Sequence, residues 1–290
     1  MTALLAGCAA PRAGDLTTAT LAEAMAQRPI VLLGEVHDNE AQHAVRAAAL
    51  RRLLEQGARP ALAFEQFDRE RQSDLDRARN QSLPPGQRSR TDHLIAEAGA
   101  ARGWNWKLYR PYLQLAIDYE LPIVAANLSR AGARRASQQG FAAVFDSTVL
   151  VANGLDRLPA AFLRGHEQAV DAGHCKLTPA AMLPALARAQ IARDVALARA
   201  IRPHFDRGVV LFAGNGHARN DIGVPFFLTA EERERTVTIG LIESADSTNI
   251  EAAPYDVALR TPAQTRKDPC VELRERLRPS GLRPPATQPR

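Results

Sequence analysis

The chain has 290 residues, 46% of them hydrophobic and 24% charged, which suits one large buried core in a soluble globular fold. Its formal charge of +5 comes from arginines scattered along helical stretches and gathered in the Pro/Arg-rich tail from Arg274 to Arg290. Aromatic residues do not interleave with them, so the footprint argues against nucleic acid as a partner, and no stretch beyond the first residues is long and apolar enough to span a bilayer.

At the amino terminus, Leu5-Ala6-Gly7-Cys8 has the small-residue spacing of a bacterial lipoprotein cleavage site. Cys8 is thus expected to carry lipid, with Ala9 to Thr18 as a short tether. The stretch ahead of Cys8 is shorter than an ordinary signal and lacks Lys and Arg, so residues 1–18 read as a truncated signal and tether. A chance match in an Ala-rich terminus is the alternative. The lipid reading places the protein at the outer membrane, facing the periplasm or the cell surface. With Cys8 set aside, Cys175 and Cys270 form an even pair, which in an exported protein favours a disulfide over two free thiols.

The first strand is expected over Pro29 to Val36, followed by a helix from Asn39 to Leu54 whose apolar positions are Ala41, Val45, Ala48 and Leu53. Ala61 to Phe67 is the second strand. A polar helical stretch runs from Arg69 to Gly103, broken at Leu83-Pro84-Pro85-Gly86, and a helix over Tyr109 to Tyr119 precedes a third strand at Pro122 to Leu128. Residues 131–179 lack strand pattern and are expected to form a helical insertion. Pro179 to Ile201 reads as a long helix with Gln190 and Asp194 interrupting its apolar stripe, and further strands follow at Gly208 to Ala213, Thr236 to Ile242 and, at the edge, Tyr255 to Leu259. Continuous apolar strands between helices indicate an α/β fold with a mostly parallel central sheet flanked by helices. The domain is drawn over residues 19–272, with a disordered tail over 273–290.

Polar residues collect where the strands end. Gly34-Glu35-Val36-His37 and Gly214-Asn215-Gly216-His217 each follow an apolar strand, and Glu65 ends a third. In an open α/β sheet the carboxyl ends of the strands form the ligand crevice, so these residues are expected to converge. Either Gly-x-x-His alone is a weak motif, since a His beside a strand-ending Gly often only caps a helix. Glu35 and His37 are spaced to share one face. His37, Glu65 and His217 form a nitrogen and oxygen set suited to a divalent metal ion, with Glu35 as general base in a hydrolase. Asn127, Gln190, Asp194 and Asn215 are candidate ligand contacts.

The segments Val31 to Asn39, Phe64-Glu65, Leu121 to Leu128, Gln190 to Asp194, Ala213 to Arg219 and Gly223-Val224-Pro225 together resemble the ChaN-like family of haem-binding lipoproteins, within a superfamily that includes the Tiki-type metalloproteases and erythromycin esterases. The resemblance runs from about Pro29 to the neighbourhood of Cys270. It implies haem as cofactor, a role in iron acquisition, a homodimer with two haems face to face, and a Tyr axial ligand. No Tyr lies between Tyr119 and Tyr255, so His166 or His174 in the insertion is the expected substitute. A metal-dependent hydrolase, protease or esterase, is the rival expectation.

Overall fold

The structure is a computed structural model, and it describes residues 12–83, 85–86, 89–99, 103–244 and 254–277. The strands are β1 (Arg12–Asp15), β2 (Ile30–Leu33), β3 (Ala61–Asp68), β4 (Ile123–Asn127), β5 (Val209–Phe212), β6 (Thr236–Glu243) and β7 (Val257–Thr261). They form a seven-stranded sheet in the order β1-β7-β6-β2-β5-β3-β4, with every pairing parallel. The expected α/β fold is therefore present, and the sheet is wholly parallel. Its strands read as unbroken apolar runs because they are covered on both sides, and each fully buried Leu, Val or Ile contributes roughly 1.5–3 kcal/mol of transfer free energy.

One face is covered by α1 (Thr18–Met25), α2 (Glu40–Glu55), α3 (Gln72–Asn80), α4 (Arg90–Glu97) and α5 (Trp106–Asp118). The insertion supplies α6 (Arg130–Gln139), α7 (Ser147–Ala152) and α8 (Ala160–Gly173), which with the long α9 (Leu183–Ile201) cover the other face. Two short helices, α10 (Asn215–Ala218) and α11 (Ala230–Glu234), lie between β5 and β6. The helix α12 (Pro269–Leu277) closes the described chain. Among the described residues no helix is long and apolar enough to cross a membrane.

Two sequence expectations change. Part of the supposed tether is β1, which pairs with β7 and moves Tyr255 to Leu259 off the sheet edge. A four-residue strand reading Arg-Ala-Gly-Asp has no apolar pattern and is held by backbone pairing. At the other end α12 carries the ordered fold into the segment drawn as tail; Cys8 and residues 278–290 lie outside the described residues.

Chain order explains the site. From β2 the chain crosses to β3 and β4 on one side, then β5 returns between β2 and β3, and β6 and β7 extend the other side. Leu33, Phe212 and Phe64 stand in register on the adjacent strands β2, β5 and β3. The residues just beyond them therefore emerge side by side at the switch point, where α/β sheets bind ligands. A disulfide between Cys175 and Cys270, with Cα atoms 5.5 Å apart, ties α12 to the insertion. The strap leading to it crosses the β2–α2 loop, where Gln264 donates to the Asp38 carbonyl at 2.8 Å and Arg266 pairs with Asp38 at 2.9 Å.

Candidate functional site

The two Gly-x-x-His segments fit into each other. A side chain at Gly214 would place its Cβ 2.9 Å from the His37 ring, and one at Gly34 would collide with the Asn215 side chain. Each glycine thus makes room for a residue of the other segment, which is why the same short motif ends both strands. The Asn215 carboxamide then clasps β6, donating to the Leu241 carbonyl at 2.7 Å and accepting from its N–H at 3.0 Å. That use is structural: it pins the strand ends instead of facing a ligand.

Glu35 and His37 do not present themselves to the crevice together. β2 ends at Leu33, so the alternation assumed from sequence stops before either residue. Glu35 turns inward and is 2% exposed. Its carboxylate pairs with the fully buried Arg46 of α2 and accepts from the Tyr109 hydroxyl at 2.5 Å and from Nδ1 of His37 at 2.8 Å. Arg46 in turn lies over the rings of Tyr112 and Phe212, 5.4 and 5.1 Å from their centroids. A buried carboxylate requires such partners, since leaving it unpaired costs several kcal/mol. Burial also keeps the Tyr109 hydroxyl protonated, well above the usual phenol range.

His37 is the exposed member, with 44% of its side chain accessible and its ring edge-on to Trp104 at 4.8 Å. Because the carboxylate can only accept, Nδ1 carries the proton and Nε2 holds the lone pair. Among the described residues Nε2 has no hydrogen-bond partner. Burial is the largest influence on its ring and lowers its pKa, Glu65 opposes this, and His217 lowers it further. His37 is accordingly a neutral imidazole whose free nitrogen is aimed by a carboxylate behind it. His43, pushed down to about 4 by burial, is also neutral and donates to the His37 carbonyl at 3.1 Å.

On the neighbouring strands a second buried set forms. His217 Nδ1 lies 2.6 Å from Asp194 of α9, and Nε2 lies 3.5 Å from Glu65. Burial alone would lower the His217 pKa, but Asp194 and Glu65 together push it up to about 10, so it stands as an imidazolium between two carboxylates. Burial would raise Glu65, yet His217, His37 and the Gly214 N–H, which donates at 2.7 Å, bring it down to about 2. Asp194 is raised, because it is sealed from water more completely than His217 can offset.

The structure thus gathers Glu35, His37, Glu65, Asp194 and His217 in one network. Asn127 bridges, donating to the Glu65 carbonyl at 2.9 Å and accepting from Arg193 at 2.9 Å. Gln190, one turn before Asp194, has no hydrogen-bond partner among the described residues. Of the two insertion histidines, His166 is 3% exposed against Phe162, with Nε2 unpartnered among the described residues, and is close enough to Asp194 and His217 to feel their charges, while His174 is exposed with Nδ1 bonded to the Val170 carbonyl at 2.8 Å.

Among the described residues no group of three or more His, Cys, Asp or Glu side chains is placed to hold a metal ion, and Glu65 and His217 of the expected trio face each other at 3.5 Å. Sequence reasoning missed Arg46, Tyr109, His43 and Trp104. The signal for the first was present: Gln42, His43 and Arg46 fall on the same helical face as Leu50 and Leu53, and that face is buried, while Ala41 of the expected stripe is exposed.

Comparison with known proteins gives one family, described as haem-binding uptake, Tiki superfamily, ChaN, which matches residues 21–228. No curated protein matches. Among solved structures, ChaN of Campylobacter jejuni with cofacially bound haem is similar at a TM-score of 0.60 and 20% identity, covering 83% of this chain and 91% of that one. The erythromycin esterase EreC in its open conformation is similar at a TM-score of 0.43 and 14% identity, covering 81% of this chain and 76% of that one.

Proposed function

The chain belongs to the ChaN haem-binding uptake family of the Tiki superfamily, and from that premise we propose that it binds haem through His37 and serves in iron acquisition from a lipid anchor at Cys8. The observation that carries this reading is the state of His37: half-exposed, neutral, with Nδ1–H fixed on Glu35 and Nε2 without a hydrogen-bond partner among the described residues. That is the form in which imidazole ligates haem iron, and a carboxylate behind a ligating His fixes its tautomer and raises its basicity. The bound iron would supply the ligand field; the chain would supply the axial nitrogen, its orientation and the flanking Trp104 edge. His166 is too buried for the role without opening the insertion, and His174 lacks a supporting carboxylate. Titrating micromolar haem into the pure protein tests the reading: a Soret band that shifts in His37→Ala supports it, and an unchanged free-haem spectrum sinks it.

One observation favours a second reading. A neutral His37 held by Glu35 beside the His217 imidazolium is also a general base next to a fixed positive charge, a pairing suited to hydrolysis of an ester or peptide. In that reading the base is His37, with Glu35 positioning it. Turnover of p-nitrophenyl esters that His37→Ala abolishes would support it, and no turnover by the wild type removes it.

A further inference from the structure

Away from the strand ends, a cavity of about 430 Å³ lies along the free edge of β4, between α3 and the carboxyl-terminal half of α9. This volume sits in the range of small-molecule pockets. Arg69, Arg79 and Arg199 line it against a single carboxylate, Asp76, which already accepts from Gln72 at 2.9 Å. Each of the three arginines is half-buried, and none has an ion-pair or hydrogen-bond partner among the described residues. Nε of Arg199 is sealed from solvent with no acceptor. A guanidinium taken partly out of water without acceptors is unfavourable, and three of them facing one cavity repel each other.

The cavity floor does not invite a peptide strand. Gln72 lays its carboxamide along the free edge of β4, donating to the Ile123 carbonyl at 3.0 Å and accepting from the Ala125 N–H at 2.6 Å, and so occupies the position a strand would take. The remaining wall is apolar, from Pro122, Val124, Ala200 and Pro203. We propose that this cavity is a binding site for a small organic oxyanion, whose phosphate or carboxylate head is held by Arg199 with Arg69 and Arg79 and whose apolar body lies against the Pro122 and Pro203 wall. Arginine suits both heads because its planar fork donates two parallel hydrogen bonds to either.

The site is independent of haem, so its test uses the full chain with no haem added. Isothermal titration at fixed ionic strength with inorganic phosphate in one arm and citrate in the other distinguishes the two heads. Saturable one-to-one binding of either is expected, weakened at least tenfold in Arg199→Gln and in Arg69→Gln and unchanged in Arg134→Gln, an exposed arginine on α6. Ala200→Phe, which fills the cavity and removes no charge, should abolish binding while leaving the far-ultraviolet circular dichroism intact. The proposal is overturned if neither anion saturates, or if both bind equally well to wild type and Ala200→Phe. A Soret titration of the same samples should be identical across all variants.

Discussion

The His37 ring rests against the bare α-carbon of Gly214, on the neighbouring strand end, with no room for a methyl group between them. Gly214→Ala is therefore expected to displace His37 while leaving the sheet paired. The overpacking cost is about 1–3 kcal/mol. Haem titration and urea unfolding of the same variant check it: a large loss of affinity with a modest loss of stability is the expected pattern, and unchanged affinity would detach His37 from the ligand.

Glu35→Gln should lower haem affinity through His37 and lower stability through Arg46, which is left buried without its carboxylate. The carboxamide oxygen can still accept from Nδ1–H, but the negative charge that raises the basicity of the imidazole is gone, and affinity for iron is expected to fall ~10–100-fold. His166→Ala should leave the titration unchanged. If the two variants exchange these results, the axial ligand lies in the insertion.

Arg46 makes the opposite kind of variant. Arg46→Ala leaves Glu35 charged and sealed from water, and a loss of about 3–5 kcal/mol in unfolding free energy is expected. A double variant, Glu35→Leu with Arg46→Met, should recover much of it, because well-packed apolar residues replace such a pair at little cost. Denaturant midpoints at constant slope measure both.

The pH profile of stability should show His217 and Glu65 on opposite limbs. His217 is raised to about 10, so its contribution is complete below its ordinary value of 6.5 and is lost as pH rises toward 10. Glu65 is lowered to about 2, so its contribution is complete above 4.5 and is lost as pH falls toward 2. His43, lowered to about 4, adds to the acid limb, since it must charge inside the protein. Unfolding free energies of His217→Gln between pH 6 and 10 should be flatter than those of the wild type; a matching alkaline decline in both proteins would remove the imidazolium from the account.

Cys175 and Cys270 close a loop of 95 residues, and Cys175→Ser with Cys270→Ser is expected to cost about 2–5 kcal/mol. Mass measurement with and without reductant should show a two-dalton difference for the wild type and none for the variant. Thermal melts of the two then give the stability difference.

The strands were legible because a parallel sheet covered on both faces writes itself as apolar runs, as in Ile30 to Leu33 and Val209 to Phe212. The polar residues after them were legible for the same reason: a carboxylate or imidazole at the end of such a run stands out. Roles were harder to read. Glu35 leaves the alternation of its strand and turns toward α2, and the partner it finds, Arg46, sits on a helix face where hydrophobic periodicity selects the wrong stripe. Asn215 looked like a ligand contact, yet its carboxamide replaces backbone pairing at Leu241, which no spacing announces. β1 was invisible because its stability comes from main-chain atoms.

The inward course of Glu35 has a consequence for how such a protein changes over generations. Its partners Arg46 and Tyr109, with the Tyr112 and Phe212 rings that Arg46 lies over, belong to the buried interior of the domain. Changing this scaffolding one residue at a time leaves a buried charge unpaired at each step, at a cost of about 3–5 kcal/mol, whereas exchanging the pair together costs little. Single changes at His37 or in the insertion leave the buried Glu35–Arg46 pair in place, so the chemistry of the crevice can be altered there at far smaller cost to the fold.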